Sequence, residues 1–126
     1  MKKASLFERL GGEFAINAAV EKLYEKIMSD GDLSPFFQNI VINNQIEKMK
    51  TFLKHSFGEQ YEGLNERLRV AHRPYVKKGL SDKHYDAVVM HIKGTLEELG
   101  VDSHLVQEVK EQIEVYRDDV LCRGEA

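Results

Sequence analysis

The spacing of apolar residues restricts the fold more than any other feature of this chain. These residues recur every three or four positions along almost its whole length, which is the period of an amphipathic helix. The face that predicts the longest early helix comprises Ile16, Val20, Leu23, Tyr24 and Ile27. No segment alternates with the period of a strand. The pattern therefore predicts an all-α domain.

Capping residues indicate where the helices begin and end. The segment SLFE at residues 5–8 is a capping box, and the glycine pair at 11–12 ends that first helix early. Ser34 before Pro35 predicts a single helical turn that reaches Phe37. Three longer helices are expected over about 42–57, 82–99 and 103–120.

One histidine lies in an unusual segment, RVAHRPY at residues 69–75. A residue before proline is disfavoured in helical dihedrals, so a brief helix over 68–72 should stop before Pro74. The nearby charged residues are all basic: Arg67, Arg69, Arg73, Lys77 and Lys78. Neighbouring cations disfavour imidazolium, so we expect a neutral His72, the form that ligates transition metals. The alternative interpretation is that these basic side chains are merely solvated.

The other four histidines have no metal-site spacing. They are His55, His84, His91 and His104, and no pair is separated by four residues. The single cysteine, Cys122, excludes an internal disulfide and a thiolate zinc site. Because histidine often has intermediate exposure, we interpret these four as surface or partly buried structural residues.

A second group of residues lies on the helix that begins near Ile42. Gln45, Met49 and Phe52 share one face of it at spacings of four and seven. An amide on an apolar face needs a hydrogen-bond partner or costs roughly 1–3 kcal/mol. Tyr24 raises the same question on its own helix, because a buried phenol also needs a partner. Two polar groups facing one apolar space are typical of a ligand pocket, although they could simply bond each other.

Charge and length exclude several classes of protein. The chain has 126 residues and a net charge of −3, with 18 basic and 21 acidic residues, so we expect one domain over 1–126 that binds no nucleic acid. The beginning MKKASLFERL lacks the apolar run of a signal peptide, and no segment approaches the ~18 apolar residues of a membrane span. The expected location is cytoplasmic, without membrane attachment.

Taken in order, five segments resemble the group 1 truncated haemoglobins. They are LFERLGG, LYEKIMSDGDLSPFF, NNQIEKMKTFL, LRVAHRPY and HYDAVVMHIKGTLEELGV, and the resemblance extends from about Leu6 to Leu121. It implies a truncated globin-like two-over-two helical sandwich around one haem, here haem b. It also implies a much shortened first helix and a proximal helix of about one turn.

The same resemblance implies roles for individual residues. His72 matches the proximal histidine, the axial ligand of the haem iron, and Tyr24 matches the distal tyrosine that donates to the gas ligand. Gln45 and Met49 match two distal positions that shape this hydrogen-bond network, although a methionine cannot donate. The further haem contacts that we expect are Phe37, Lys48, Phe52, Leu80 and Tyr85. For Lys48 the expected partner is a haem propionate, and the alternative is ligation of the iron when no gas is bound.

The implied function is reversible binding of oxygen, and also of nitric oxide or carbon monoxide, at ferrous iron. In this family such chemistry extends to nitric oxide dioxygenation, for which this chain would need a separate reductase. The alternative is a haem-free helical interaction or regulatory module, which would need neither His72 nor Tyr24. The visible spectrum of the purified protein separates the two hypotheses.

Overall fold

The computed structural model describes residues 4–124, and all its regular elements in that range are helical. The α-helices are α1 (Leu6–Arg9), α2 (Gly12–Met28), α3 (Ile42–Phe57), α4 (Leu64–Lys77), α5 (Asp82–Glu98), α6 (Ser103–Glu114) and α7 (Arg117–Val120). A 3-10 turn (Ser34–Phe37) lies between α2 and α3. The prediction of an all-α fold is confirmed. None of the helices in this range is both long and apolar enough to cross a membrane.

Helix α1 is as short as the sequence predicts. The Ser5 hydroxyl accepts a hydrogen bond from the Glu8 amide at 3.1 Å, which confirms the serine half of the capping box. Gly11 and Gly12 then have φ angles of 113° and 72°, in the left-handed region that favours glycine. A β-carbon on Gly11 would lie only 2.8 Å from that of Ala15, so the turn from α1 into α2 requires glycine at this position.

Two pairs of helices enclose the core. Helix α2 packs against α3 and α5, while α6 packs against α5 and α3. This arrangement is the expected two-over-two sandwich. The core contains the apolar residues that the periodicity placed on the inner faces: Ile16, Val20, Leu23, Ile27, Leu53, Ile92, Leu96, Val109 and Ile113. On α5 the structure buries Val89 as well, whereas the periodicity indicated Val88, which is only partly buried. Burial of each large side chain stabilises the fold by roughly 1.5–3 kcal/mol.

Helix α4, which carries His72, is longer than predicted. It runs over Leu64–Lys77 with Pro74 inside it, so a helix stopping before Pro74, or lasting about one turn, is wrong. Proline removes one N–H, and the carbonyl that loses its helical donor is that of Val70, four residues earlier. Val70 is 55% exposed, so solvent can hydrogen-bond this carbonyl and the helix continues.

The last predicted helix is interrupted. Helix α6 ends at Glu114 and α7 begins at Arg117, whereas the sequence predicted one helix through Val120. At the interruption Val115 is 62% exposed and Tyr116 only 2% exposed. The Arg117 side chain then donates to Asp82 at 3.1 Å and to Asp86 at 2.5 Å. The break thus buries Tyr116 and joins the end of the chain to α5.

Candidate functional site

Tyr24 is buried on the inner face of α2. It is 3% exposed, and its ring meets the Phe37 ring edge to face, with centroids 5.8 Å apart and an interplanar angle of 84°. Phe37 reaches this position because the 3-10 turn follows α2 directly and packs against it. The structure therefore brings together two of the predicted site residues.

Gln45 on α3 forms a hydrogen bond with the Tyr24 side chain. Burial raises the pKa of Tyr24 to about 12, and the bond from Gln45 acts in the opposite direction. Tyr24 stays protonated at neutral pH, so its hydroxyl keeps a hydrogen that can be donated.

The other predicted residues of α3 differ in exposure. Met49 and Phe52 are partly buried against the core, while Lys48 is exposed. A thioether donates no hydrogen bond, so the donors among the three predicted distal residues are Tyr24 and Gln45. Phe52 contacts the Tyr116 ring edge to face, with centroids 5.3 Å apart.

His72 is partly buried on α4, and one of its ring nitrogens is already bonded. Nδ1 lies 2.8 Å from the Leu68 carbonyl oxygen. A carbonyl only accepts, so Nδ1 carries the hydrogen and the Nε2 lone pair of the neutral ring is available for a metal. Burial lowers the pKa of His72, and the bond to Leu68 opposes this effect. The expected neutral imidazole is supported, but burial causes it rather than the neighbouring cations.

The basic residues near His72 do not all face solvent. Arg69 is 14% exposed, lies 2.9 Å from an Asp119 carboxylate oxygen and donates to the Arg123 carbonyl at 2.6 Å. This side chain therefore links α4 to α7 and to the segment that follows α7. Lys78 instead lies 5.9 Å from the centre of the Tyr75 ring. The interpretation of these residues as merely solvated cations is therefore wrong for Arg69.

The two residues predicted on the far side of the site, Leu80 and Tyr85, are both half-buried. The Leu80 amide donates to the Tyr75 carbonyl at 3.0 Å, which closes the turn between α4 and α5. The Tyr85 hydroxyl donates to the Ile113 carbonyl, and the Arg117 guanidinium carbon lies 4.6 Å from the Tyr85 ring centre. Tyr85 thus holds α5 against α6. A haem contact by either residue stays a prediction.

Three of the remaining histidines have hydrogen-bond partners within the fold. His84 Nδ1 accepts from the Ser81 amide at 3.1 Å and caps α5, while His91 Nε2 lies 2.7 Å from an Asp30 carboxylate oxygen. His55 Nδ1 is 3.1 Å from the Glu59 carbonyl oxygen. Over residues 4–124 no three His, Cys, Asp or Glu side chains are grouped so as to hold a metal ion. A metal at His72 would therefore have to bring its other ligands with it, as the iron of a porphyrin does.

Tyr116 contacts Phe52, one of the predicted site residues, and the sequence did not reveal this contact. It is 2% exposed, contacts Phe52, and its hydroxyl lies 3.4 Å from the Gln112 amide nitrogen. The same amide donates to the Ser56 carbonyl at 3.0 Å. The spacing of four between Gln112 and Tyr116 could have indicated this pair, but the sequence placed Tyr116 only on an apolar helix face.

Comparison with known proteins gives one consistent family. The profile of the bacterial-like globin family matches residues 5–122. The group 1 truncated hemoglobin GlbN of Synechocystis sp. is 37% identical over 109 residues, which cover 84% of this chain and 86% of that protein. A group 1 truncated hemoglobin of Tetrahymena thermophila is 33% identical over 122 residues, covering 95% and 97% of the two chains.

A solved structure supports the same assignment of the fold. The 2/2 hemoglobin of Synechococcus sp. PCC 7002, in the cyanomet state and with covalently attached heme, superimposes with a TM-score of 0.88 at 38% identity. The superposition covers 95% of this chain and all of the other. The similarity therefore extends over the helices that carry Tyr24, Gln45 and His72.

Proposed function

The chain belongs to the bacterial-like globin family, and within it to the group 1 truncated haemoglobins, and we propose that it binds oxygen reversibly through a haem b held by His72. Membership of this family implies a haem and the binding of diatomic gases. The proposal adds the kind of haem, the preferred gas and the residues. The proposed gas ligands also include nitric oxide and carbon monoxide.

The proposal rests on the tautomer and the hydrogen bonding of the His72 ring. Its Nδ1 donates to the Leu68 carbonyl at 2.8 Å, so Nε2 of the neutral ring is left with a free lone pair. The bond to Leu68 also fixes the tautomer and the plane of the ring, as second-shell partners of metal-ligating histidines do. These features fit a group that needs a single axial imidazole. Haem b, when bound, supplies a ferrous iron to which a diatomic gas attaches reversibly.

Further residues of this chain would hold the porphyrin. Phe37, Met49 and Phe52 offer partly buried apolar surface, and we assign Leu80 and Tyr85 to its other side. The exposed Lys48 would place its ammonium on a propionate while its apolar stem lies along the edge of the ring.

Tyr24 and Gln45 would select for a polarised gas. Tyr24 is protonated, so the phenol can donate to a gas ligand. Gln45 holds the phenol oxygen and thereby orients the hydroxyl. Such a donor, fixed before the ligand arrives, stabilises a ligand in proportion to the negative charge that it carries. Oxygen gains much more from this bond than carbon monoxide does.

We extend the proposal to nitric oxide dioxygenation, with a separate reductase as the electron donor. The support is the same pair of distal donors, which would retain oxygen until nitric oxide arrives. The role of this chain would be to hold the reactants in a buried pocket beside Tyr24. Mixing the oxygenated protein with nitric oxide should yield one nitrate per haem and ferric protein. Release of nitric oxide without nitrate would contradict this extension.

The visible spectrum tests the central proposal. We expect a strong Soret band after expression with adequate haem, reversible spectral changes of the reduced protein with oxygen, and a pyridine haemochrome characteristic of haem b. A folded but colourless protein under these conditions would contradict the proposal and favour the haem-free interaction module.

A further inference from the structure

The helix that carries His72 is held mainly by the end of the chain. Of the described elements, α7 is the one that α4 contacts most, while α2, α3, α5 and α6 pack chiefly against one another. Helix α7 has only four residues, Arg117–Val120, and a helix this short is not stable by itself. The position of α4 therefore depends on the side chains that join it to α7.

Asp119 of α7 lies at the centre of this junction. One of its carboxylate oxygens is 2.9 Å from Arg69 Nη2, and the other accepts from the Asn65 amide at 2.6 Å. Asn65 and Arg69 are four residues apart on α4, so they lie on one face of adjacent turns. Only 13% of the Asp119 side chain is exposed. Salt and solvent therefore screen this ion pair much less than a surface pair.

The residues that follow α7 close around the same arginine. Arg69 Nη2 also donates to the Arg123 carbonyl at 2.6 Å, and the Cys122 thiol donates to the Arg69 carbonyl at 3.4 Å. Cys122 and Gly124 have φ angles of 57° and 76°, so the chain turns back towards α4 here. A β-carbon on Gly124 would lie 3.8 Å from Arg69 Nη2. This segment thus packs on Arg69 through its backbone as well as its side chains.

The junction is anchored in turn to the start of α5. Arg123 donates to Asp82 at 2.6 Å and to Asp118 at 2.8 Å, and Arg117 donates to Asp82 at 3.1 Å. Asp82 is the first residue of α5, which packs against α2 and α6 in the core. These ion pairs therefore fix α7, and through it α4, relative to the sandwich.

The ion pair between Arg69 and Asp119 lies about one turn before His72. The imidazole is oriented by the Leu68 carbonyl, 2.8 Å from Nδ1, and Leu68 directly precedes Arg69. Helical carbonyls point along the helix axis, so any rotation or shift of α4 moves this carbonyl and the imidazole together.

We propose that Asp119 is a positioning residue for His72. Its ion pair with Arg69 fixes α4 and thereby the direction of the Nε2 lone pair. This inference rests on the proposed function, because it takes His72 as the ligand of the haem iron.

The variant Asp119→Asn, studied in the haem-loaded protein, tests this role. It keeps the shape of the side chain and one acceptor but removes the charge that pairs with Arg69. We expect the iron–histidine stretching band in the resonance Raman spectrum of the ferrous, gas-free protein to broaden, because the imidazole then has several orientations. Haem transfer to excess apomyoglobin should become about three- to ten-fold faster, less than the full value of a charged hydrogen bond because a neutral one remains. Asp119→Glu keeps the carboxylate and should stay close to the wild type in both measurements.

Two controls separate positioning from a general loss of stability. Glu98→Gln makes the same carboxylate-to-amide change in the ion pair with Lys26, whose Nζ lies 2.7 Å from Glu98 and which joins α2 to α5. It should leave the iron–histidine band and haem transfer unchanged. The second control is the C–O stretching band of bound carbon monoxide, which reports the field on the side where we place Tyr24. This band should not move in Asp119→Asn.

Two results would overturn the inference. One is a wild-type iron–histidine band and wild-type haem transfer in Asp119→Asn, and the other is an equal change of both in Glu98→Gln. If Asp119→Asn does not fold, Asn65→Ala decides the question, because it removes only the neutral bond to Asp119. It should broaden the band to a smaller degree, and an unchanged band would overturn the inference. A wild-type protein without any iron–histidine band would instead contradict the proposed function, and the inference with it.

Discussion

A hydrogen bond joins the side chains of Gln45 on α3 and Tyr24 on α2. This bond joins two helices that pack against each other in the core. The sequence left open whether the two residues bond each other or a ligand. The structure joins them to each other, and donation from Tyr24 to a ligand stays a prediction.

Tyr24→Phe should release oxygen about ten-fold faster or more. A hydrogen bond to a strongly polarised partner is worth roughly 1.5–3 kcal/mol, and 1.4 kcal/mol corresponds to a factor of ten. Carbon monoxide release should change much less. Stopped-flow measurement of both gases checks this, with Tyr61→Phe, at an exposed tyrosine, as the control. Equal acceleration of both gases would mean that Tyr24 controls access and does not donate.

Gln45→Leu should have a smaller effect than Tyr24→Phe, because the phenol donor remains and loses only its orientation. We expect oxygen release to accelerate by about two- to five-fold, which corresponds to 0.4–1 kcal/mol. In the double variant the second change should add little, since the residues act through one network. Additive effects on the logarithm of the rate would show instead that Gln45 donates to the ligand independently.

His72→Ala should abolish tight retention of haem. The variant removes the predicted proximal ligand of the iron, and added imidazole should restore a spectrum close to that of the wild type. His104→Ala is the matched control, because His104 is exposed and on a different helix. A wild-type spectrum and haem affinity in His72→Ala would refute the assignment.

The sequence predicted which residues form the site more fully than it predicted how burial changes their protonation. The resemblance indicated Tyr24, Phe37 and Gln45, which the structure brings into contact. Local charge correctly predicted a neutral His72 but gave the wrong cause, since burial depends on how α4 packs.

The helix boundaries show which local signals are reliable. Ser5 and the glycine pair at 11–12 act on their immediate neighbours, and these predictions held. Pro74 failed as a terminator because its effect depends on whether the carbonyl of Val70 is accessible to solvent. The break near Tyr116 was missed because it depends on Arg117 reaching carboxylates on α5, which are distant in sequence.

Arg117→Met should destabilise the protein in a pH-dependent manner. Hydrogen bonds from Arg117 lower the pKa of Glu114, and those from Arg123 and then Arg117 lower the pKa of Asp82. A carboxylate with a depressed folded pKa stabilises the fold above its unfolded pKa of about 4, and this contribution is lost as pH falls through the folded pKa. At pH 7 the free energy of unfolding of the wild type should be higher than that of the variant. Urea unfolding between pH 7 and pH 2.5 should show this difference shrinking below about pH 4. A difference that stays constant would assign the effect to contact with the Tyr85 ring.

Lys48→Ala should weaken haem retention without changing the spin state of the ferric protein. Lys48 is exposed on α3, beside Met49, and a solvated ion pair with a propionate contributes up to about 1 kcal/mol, or five-fold in affinity. The competing hypothesis is that the deprotonated amine ligates the iron when no gas is bound. An ammonium has no free lone pair, so this hypothesis requires a low-spin ferric spectrum that grows as pH rises.

Hydroxide stabilised by Tyr24 would produce the same trend, so the wild-type titration alone does not separate the two causes. Titrating wild type, Lys48→Ala and Tyr24→Phe together does separate them, with Lys54→Ala as the control for an exposed lysine on the same helix. We expect the transition to persist in Lys48→Ala and to shift in Tyr24→Phe. If it disappears in Lys48→Ala alone, the amine ligates the iron and the assignment of Lys48 to a propionate is wrong.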